Sequence, residues 1–332
     1  MRIISGKYRG KRLFAPADDS VRPTTDRIKE TVFNIIQWKV SGAKVLDLFC
    51  GSGALGIECI SRGADEVIFV DKSRDSVELT KENLKGIDGN YRVVNSDFLN
   101  VLRAGTSKFD IIFIDPPYKS GLGEFAVQAV FECDRLSDGG TVVYEHSAEL
   151  PYVSVDATLA VRTKKMGSVT VEFIKKKTVG MATGSFDPVT KGHEALIERA
   201  LCDFDEVVAA CLVNPDKKYM FTPEERVKLI EAAFSGNPRV SALYSEDTAA
   251  DVAKRIGATA LVRGVRNERD EAYEKEMADY NRERGVETVI YDLADFKELS
   301  STAVREQLKN GDFHSLPAYA IIEAQDIMRN KK

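Results

Sequence analysis

Short apolar runs recur along the chain, each followed by a polar turn and then by residues with helical spacing. The first set lies at 45–49 (VLDLF), 67–71 (VIFVD), 92–94, 109–115 (FDIIFID) and 141–145, with helices predicted near 74–84 and 124–133. Apolar runs without polar interruption belong to strands buried on both faces. They predict a mostly parallel sheet covered by helices. Two later runs, 153–161 and 169–174, follow one another without a helix and predict a hairpin at one edge. An earlier helix follows Pro23, capped by Thr25 or Asp26, with Ile28, Val32, Phe33, Ile35 and Ile36 on its apolar face.

After residue 178 the pattern starts again. Strands at 179–183, 207–213, 240–244, 260–262 and 286–291 alternate with helices near 222–234, 247–256 and 268–284. A last apolar helix runs from about 316 to 328. The fold class is therefore α/β, with two doubly wound domains at 1–177 and 178–332. The seam, VTVEFIKKKTVGMATGSF at 169–186, leaves residues 175–178 as connection, a reach of roughly 14 Å. It holds no Gly/Ser tract, so a restricted relative orientation is expected.

Composition changes this picture little. The 332 residues are 43% hydrophobic and 30% charged, as in ordinary globular protein. Cys50, Cys59, Cys133, Cys202 and Cys211 lie far apart, which speaks against a zinc site or disulfide framework and fits a reducing, cytoplasmic setting. No signal peptide or membrane span is expected. Charge is more telling. The net −5 divides into +2 for residues 1–178 and −7 for the remainder, with +6 in the first 44 residues alone. In residues 1–14, Arg2, Lys7, Arg9, Lys11 and Arg12 surround Tyr8 and Phe14, a pattern suited to phosphates and stacked bases.

Ligands in such sheets sit at the carboxyl ends of the strands. Asp47, Gly51, Gly53, Asp71, Asp97 and Asp115 to Tyr118 all fall near such ends. The turn Gly51-Ser52-Gly53-Ala54-Leu55-Gly56 matches a dinucleotide fingerprint, with Asp71 twenty residues after Gly51. Asp47, however, would oppose a pyrophosphate. S-adenosylmethionine, which has no phosphate and carries two cationic groups, suits these acids better. Asp47 would hold the amino-acid end, Asp71 the ribose hydroxyls and Asp97 the adenine amine. In Asp115-Pro116-Pro117-Tyr118, a carboxylate and the Pro116 carbonyl can accept both N–H bonds of an exocyclic base amine. Its lone pair then turns toward a methyl donor. Tyr118 can stack on a base drawn from its helix.

Residues 1–177 resemble the RsmD family of bacterial methyltransferases, which modify a guanine exocyclic amine of small-subunit (16S) ribosomal RNA. The resemblance rests on RIISGKYRGKRL (2–13), RPTTDRIKETVFN (22–34), VLDLFCGSGALGIE (45–58), VNSD (94–97) and DPPY (115–118). It implies a class I S-adenosylmethionine-dependent fold, an RNA partner or its assembling particle, and RNA contacts that include Arg9 and Arg22. D-P-P-Y occurs also in adenine-amine DNA methyltransferases, which stay open as an alternative.

In the second half, His193 follows Gly192 at a predicted helix N-terminus, a setting that favours phosphate. Ser300, Ser301 and Thr302 open another helix, and Lys217, Arg263 and Arg266 add positive charge. The combination suits adenylyl transfer from ATP, which needs positioning and charge stabilisation. This half resembles phosphopantetheine adenylyltransferase through TGSFDPVTKGH (183–193), NPDKKYMFTPEERVKLI (214–230), LVRGVRNERDEAYEKEMADYNR (261–282) and LSSTAVRE (299–306). The resemblance implies that His193 stabilises the α-phosphate and that Lys217 and Arg263 hold the phosphate of 4′-phosphopantetheine. It places Ser185, Phe186, Gly264, Val265, Arg266, Glu274 and residues 296–302 at ATP, with Mg²⁺ bridging phosphates, in a trimer or hexamer. Ser185 replaces the family's usual threonine, residues 296–299 are less apolar than usual, and the contacts near Thr248 and Ala249 are open. A further alternative makes one half a silent RNA-binding or assembly module.

Overall fold

The computed structural model describes residues 1–15, 26–117, 121–149, 152, 156–213, 217–296 and 301–331. The chain divides into two compact units, Met1–Lys176 and Lys177–Lys332. Strands β7 (Val169–Lys176) and β8 (Val179–Gly184) flank the division, with Lys177 and Thr178 between them.

In the first unit, α1 (Asp26–Val40) precedes β1 (Lys44–Asp47), α2 (Ala54–Ser61), β2 (Glu66–Asp71), α3 (Arg74–Leu84), β3 (Tyr91–Asn95), α4 (Phe98–Ala104), β4 (Phe109–Ile114), α5 (Leu122–Glu132), β5 (Leu136–Ser147), β6 (Leu159–Met166) and β7. The sheet order is β3-β2-β1-β4-β5-β7-β6. β1 to β5 are parallel, and β7 runs antiparallel to both β5 and β6. Two apolar layers cover the sheet. Val45, Phe69, Phe113 and Val171 pack toward α1 and α2, while Leu46, Ile112, Tyr144 and Ile174 pack toward α4 and α5. Gly56 on α2 lets the helix close on the sheet, because a Cβ there would meet the Phe69 ring at 2.3 Å.

The second unit has β8, α6 (Lys191–Asp203), β9 (Glu206–Leu212), α7 (Pro223–Ala233), β10 (Val240–Ser245), α8 (Ala249–Ile256), β11 (Ala260–Val265), α9 (Glu268–Glu283), β12 (Glu287–Asp292), a 3-10 turn (Ala294–Phe296), α10 (Ser301–Lys309) and α11 (Ala320–Asn330). Its sheet is wholly parallel, in the order β10-β9-β8-β11-β12.

Three expectations change. The first strand of the edge hairpin starts at Leu159, not near 153, and residues 153–155 lie outside the described set. Helix α4, too short for a clear period, was not anticipated; Asp97 starts it by accepting from Leu99 N at 2.9 Å. The last helix begins at Ala320, past Pro317.

The basic N-terminus is a built element. Arg2 and Arg12 pair antiparallel, and Ile3 and Leu13 are buried. The anchor is Glu58 on α2. It accepts from Ile4 N at 2.7 Å and Ser5 N at 3.0 Å, and from Arg62 Nε at 2.8 Å. Lys29 Nζ lies 3.3 Å from Glu58 and donates to the Arg2 carbonyl at 2.5 Å. Lys29 and Glu58 are both fully buried. Burial pushes the Lys29 ammonium toward losing its proton, and Glu58 opposes that. Removing one partner strands the other charge. Glu58→Ala should therefore cost about 3–5 kcal/mol and speed hydrogen exchange at Ile4 and Ser5. A wild-type melting temperature and unchanged exchange would show that the hairpin is held by its apolar contacts alone.

Candidate active sites

β1 lies between β2 and β4, so the carboxyl ends of these three strands adjoin. Asp47 closes β1, is 2% exposed, and accepts from Gly56 N at 3.1 Å. Burial pushes its carboxyl group up to about 7; the Gly56 amide works against this and the Asp71 charge adds to it. Gly51 and Gly53 have φ of 54° and 76°, which a side chain would resist. Gly51 N donates to Asp71 Oδ2 at 3.0 Å, and Ser73 N donates to Asp71 Oδ1 at 2.9 Å. Asp71 thus braces the glycine turn from the end of β2. Asp97 is exposed at the start of α4. Asp115 is half-buried and Pro116 buried just past β4; Tyr118 lies outside the described residues.

Two residues that the sequence reading missed support the turn from α3. Thr80 Oγ1 donates to the Gly51 carbonyl at 2.9 Å. Asn83 Nδ2 donates to the carbonyls of Ser52 at 2.9 Å and Phe14 at 3.1 Å, joining the turn to the N-terminal hairpin. Both side chains are buried. They sit on a mostly polar helix, where only burial separates them from surface residues.

At the proposed RNA-binding hairpin, Arg9 is exposed. Arg22 lies outside the described residues. Tyr8 is not a free stacking platform. Its hydroxyl donates to Asp88 Oδ2 at 3.2 Å and accepts from Asp88 N at 2.8 Å, and its ring packs on the core. Phe14 is 63% exposed and keeps the stacking surface.

In the second unit the adjoining strands are β8 and β11. The turn after β8 carries Ser185 and Phe186. Phe186 takes φ of 45° although it is not glycine, and its ring is buried 4.7 Å from His193, centroid to centroid. Thr190 caps α6. Its hydroxyl accepts from His193 N at 3.4 Å, and its backbone N–H donates back to His193 Nδ1 at 3.1 Å. Nδ1 is thereby an acceptor, which leaves the proton of a neutral ring on Nε2. Burial of the ring, then the charges of Arg266 and Arg263, push its pKa down to about 4.

The cations divide. Arg266 is half-buried with Asp270 3.5 Å away, and Lys217 is exposed. Arg263 and Glu274 face each other. Arg263 donates to both Glu274 oxygens, at 2.7 and 2.5 Å, and to the Thr183 carbonyl and hydroxyl at 2.8 and 2.7 Å. The pair joins α9 to β8, and the second Nη2–H of Arg263 makes none of these bonds. Gly264 and Val265 close β11 beside them. Ser301 and Thr302 begin α10, and Ser300 lies outside the described residues. The turn also has supports that sequence reasoning missed. Arg226 Nη1 donates to the Ser185 carbonyl at 2.8 Å. Buried Asp187 accepts from Phe221 N at 2.9 Å. Arg305 donates to the Asp187 carbonyl at 2.9 Å and to Thr302 Oγ1 at 3.0 Å, tying the turn to α10.

With this geometry in hand, residues 1–175 match the family described as conserved hypothetical protein 95, and residues 181–307 match the cytidylyltransferase-like family. Among relatives, the ribosomal RNA small subunit methyltransferase D of Escherichia coli K12 is 35% identical over 54% of this chain and 92% of its own length. The phosphopantetheine adenylyltransferase of Flavobacterium johnsoniae is 44% identical over 39% of this chain and 86% of its own length. A second such adenylyltransferase, from Porphyromonas gingivalis, is 38% identical over 41% of this chain and 90% of its own length. The chain belongs to both families. Its two units are a methyltransferase and a nucleotidyltransferase, each Rossmann-like, fused in one enzyme.

Two pH effects follow. In the methyltransferase unit, Asp47 keeps a proton in the folded state that the unfolded chain releases near 3.8. Its contribution is full below about pH 4 and is lost as pH rises through about 7. Asp47→Asn should therefore stabilise this unit, free of ligand, more at pH 8 than at pH 5 by calorimetry; an equal effect at both values would refute the buried acid. In the nucleotidyltransferase unit, His193 should stay neutral at pH 7 with its proton on Nε2 and titrate near 4. Nitrogen-15 shifts of the ring read this directly, and protonation near the ordinary 6.5 would overturn it.

Proposed function

We propose that the first unit methylates the exocyclic amine of a guanine in small-subunit ribosomal RNA with S-adenosylmethionine. The observation that supports this most is the pairing of a buried carboxyl, Asp47, with a glycine turn held by a second carboxylate, Asp71. Among the described residues, no lysine or arginine bonds to either acid. This donor set fits a cationic ligand without phosphate and does not fit a pyrophosphate. S-adenosylmethionine, when bound, supplies the sulfonium methyl group. Asp47 meets the ammonium end, Asp71 the ribose and Asp97 the adenine amine. Asp115 and the Pro116 carbonyl accept the target amine's two N–H bonds, directing its lone pair outward, and Tyr118 stacks on the base. Asp115 takes the proton that the methylated amine releases. Arg9 and Arg22 bind RNA phosphates.

The second unit transfers AMP from ATP to 4′-phosphopantetheine, giving dephospho-coenzyme A and pyrophosphate. His193 supports this reading. A neutral imidazole locked by Thr190 offers an Nε2–H donor, so it stabilises charge developing on an α-phosphate oxygen without acting as a base. Arg266 supplies fixed positive charge, and Lys217 holds the acceptor's phosphate. Ser185, Phe186, Gly264, Val265, Ser300, Ser301 and Thr302 line the nucleotide. Arg263 joins Lys217 at the acceptor's phosphate and Glu274 contacts ATP, each oriented by their mutual pair. Mg²⁺ enters with the triphosphate; among the described residues no cluster of three His, Cys, Asp or Glu side chains offers a metal site. No described helix is long and apolar enough to cross a membrane. The reactions belong in the cytoplasm, in a homo-oligomer built through the second unit.

Two variants test the pair of activities. Asp115→Ala should abolish methyl transfer to small-subunit particles while dephospho-coenzyme A forms at the wild-type rate. His193→Ala should lower adenylyl transfer about 10²–10³-fold, the usual loss of a charge-stabilising donor, with ATP binding and methylation retained. Loss of both activities in either variant would refute separate sites, and label appearing in DNA but not in ribosomal RNA would overturn the substrate.

A further inference from the structure

The register of the first sheet places three cations beside the D-P-P turn, on a strand that the proposed chemistry does not use. Ile114 at the end of β4 pairs with Tyr144 on β5, Tyr144 with Glu172 on β7, and Glu172 with Thr163 on β6. The next row runs through Glu145 and Val171 to Lys164, one position beyond the last β4–β5 pair, Ile114 with Tyr144, as Asp115 is one residue beyond Ile114. The row after it runs through His146 and Thr170 to Lys165. At about 4.8 Å per strand, Lys164 stands roughly 14 Å from Asp115. Arg162, Lys164 and Lys165 are all exposed on β6, the outermost strand of the sheet.

Their electrostatic surroundings are one-sided. Among the described residues, none of the three has a hydrogen-bonding or ion-pair partner, whereas Lys176 pairs with Asp134 at 2.9 Å at the opposite end of the hairpin. The only carboxylate in β6 and β7 is Glu172, which is 2% exposed and directed inward to His146. A charge of either sign keeps an edge strand from pairing with another sheet; a uniform sign attracts a polyanion. Alternate residues along a strand are about 6.6 Å apart on one face, so Arg162 and Lys164 form a short row on one side of the ribbon, and Lys165 stands on the other side of the same edge.

We infer that the edge strand β6, through Arg162, Lys164 and Lys165, is a docking track for the RNA backbone flanking the methylated base. The inference rests on the RNA methyltransferase reading of this unit. A base drawn into a site at Asp115 leaves its neighbouring nucleotides in the crevice outside the sheet, and a separation of roughly 14 Å is within reach of two or three of them. Phosphate contacts of this kind position RNA and carry no sequence information.

The test measures binding of the full chain to small-subunit ribosomal RNA across a salt series, for wild type and for Arg162→Gln/Lys164→Gln/Lys165→Gln. Neutralising three contacts to single-stranded RNA should reduce the slope of log K against log salt by about 2. KM for small-subunit particles should rise at least tenfold with kcat within twofold. S-adenosylmethionine affinity and adenylyl transfer should not move, because the three side chains are exposed and lie in neither site. A triple variant with wild-type slope and KM would overturn the track while leaving the RNA methyltransferase reading intact. A wild-type protein that neither binds nor methylates this RNA would overturn both. A variant that binds RNA normally but loses kcat would also overturn it, since the strand would then serve the site's shape and not its charge.

Discussion

A parallel sheet covered on both faces leaves little freedom for where chemistry can occur. Its backbone is paired along the strands and its side chains are packed above and below, so polar groups collect where connections diverge at the carboxyl edge. Both units obey this constraint. In the first, β1 stands between β2 and β4, and Asp47, Asp71 and Asp115 stand at their ends. In the second, β8 stands beside β11, and Ser185, Arg263 and His193 gather there. Each tight turn is then held by side chains from elsewhere in its unit: Thr80 and Asn83 in one case, Arg226 and Arg305 in the other.

The two edges solve opposite electrostatic problems. The methyltransferase edge concentrates carboxylates where the strands end, and among the described residues no arginine or lysine side chain bonds to Asp47 or Asp71. Burial brings the Asp47 carboxyl near neutrality, where a nearby positive charge would restore its ionised form. The nucleotidyltransferase edge does the reverse. Burial, then Arg266 and Arg263, repel a proton from His193, which keeps its ring a neutral donor at pH 7. In both, one residue's protonation state is decided chiefly by burial, and neighbouring charge adjusts it.

Much of this was legible along the chain. Continuous apolar runs identified the strands of both sheets, because a doubly covered strand tolerates few polar side chains. Gly51, Gly53 and the Asp115-Pro116 step stood out because left-handed backbone and missing donors need particular residue types. Thr80, Asn83, Arg226 and Arg305 did not stand out. Their role depends on which carbonyl lies within 3 Å, and that partner is tens of residues away. The same reason hides two pairings: Asp88 at the Tyr8 hydroxyl lies 80 residues away in sequence, and Arg263 meets Glu274 only once α9 packs on the sheet.

The lysine-bearing seam shows the division most simply. The sequence by itself determined that the last strand of one unit ends and the first strand of the next begins within a few residues of Lys177, and which residue types reach each carboxyl edge, because period and turn chemistry are local. Only the tertiary structure decided the partners: that Glu58 anchors the N-terminal hairpin, that His193 presents Nε2, and that Lys164 shares a row with Val171 and Glu145. Those facts depend on strand register and helix docking. Both are selected by the packing of the whole unit, and no local stretch of sequence specifies them.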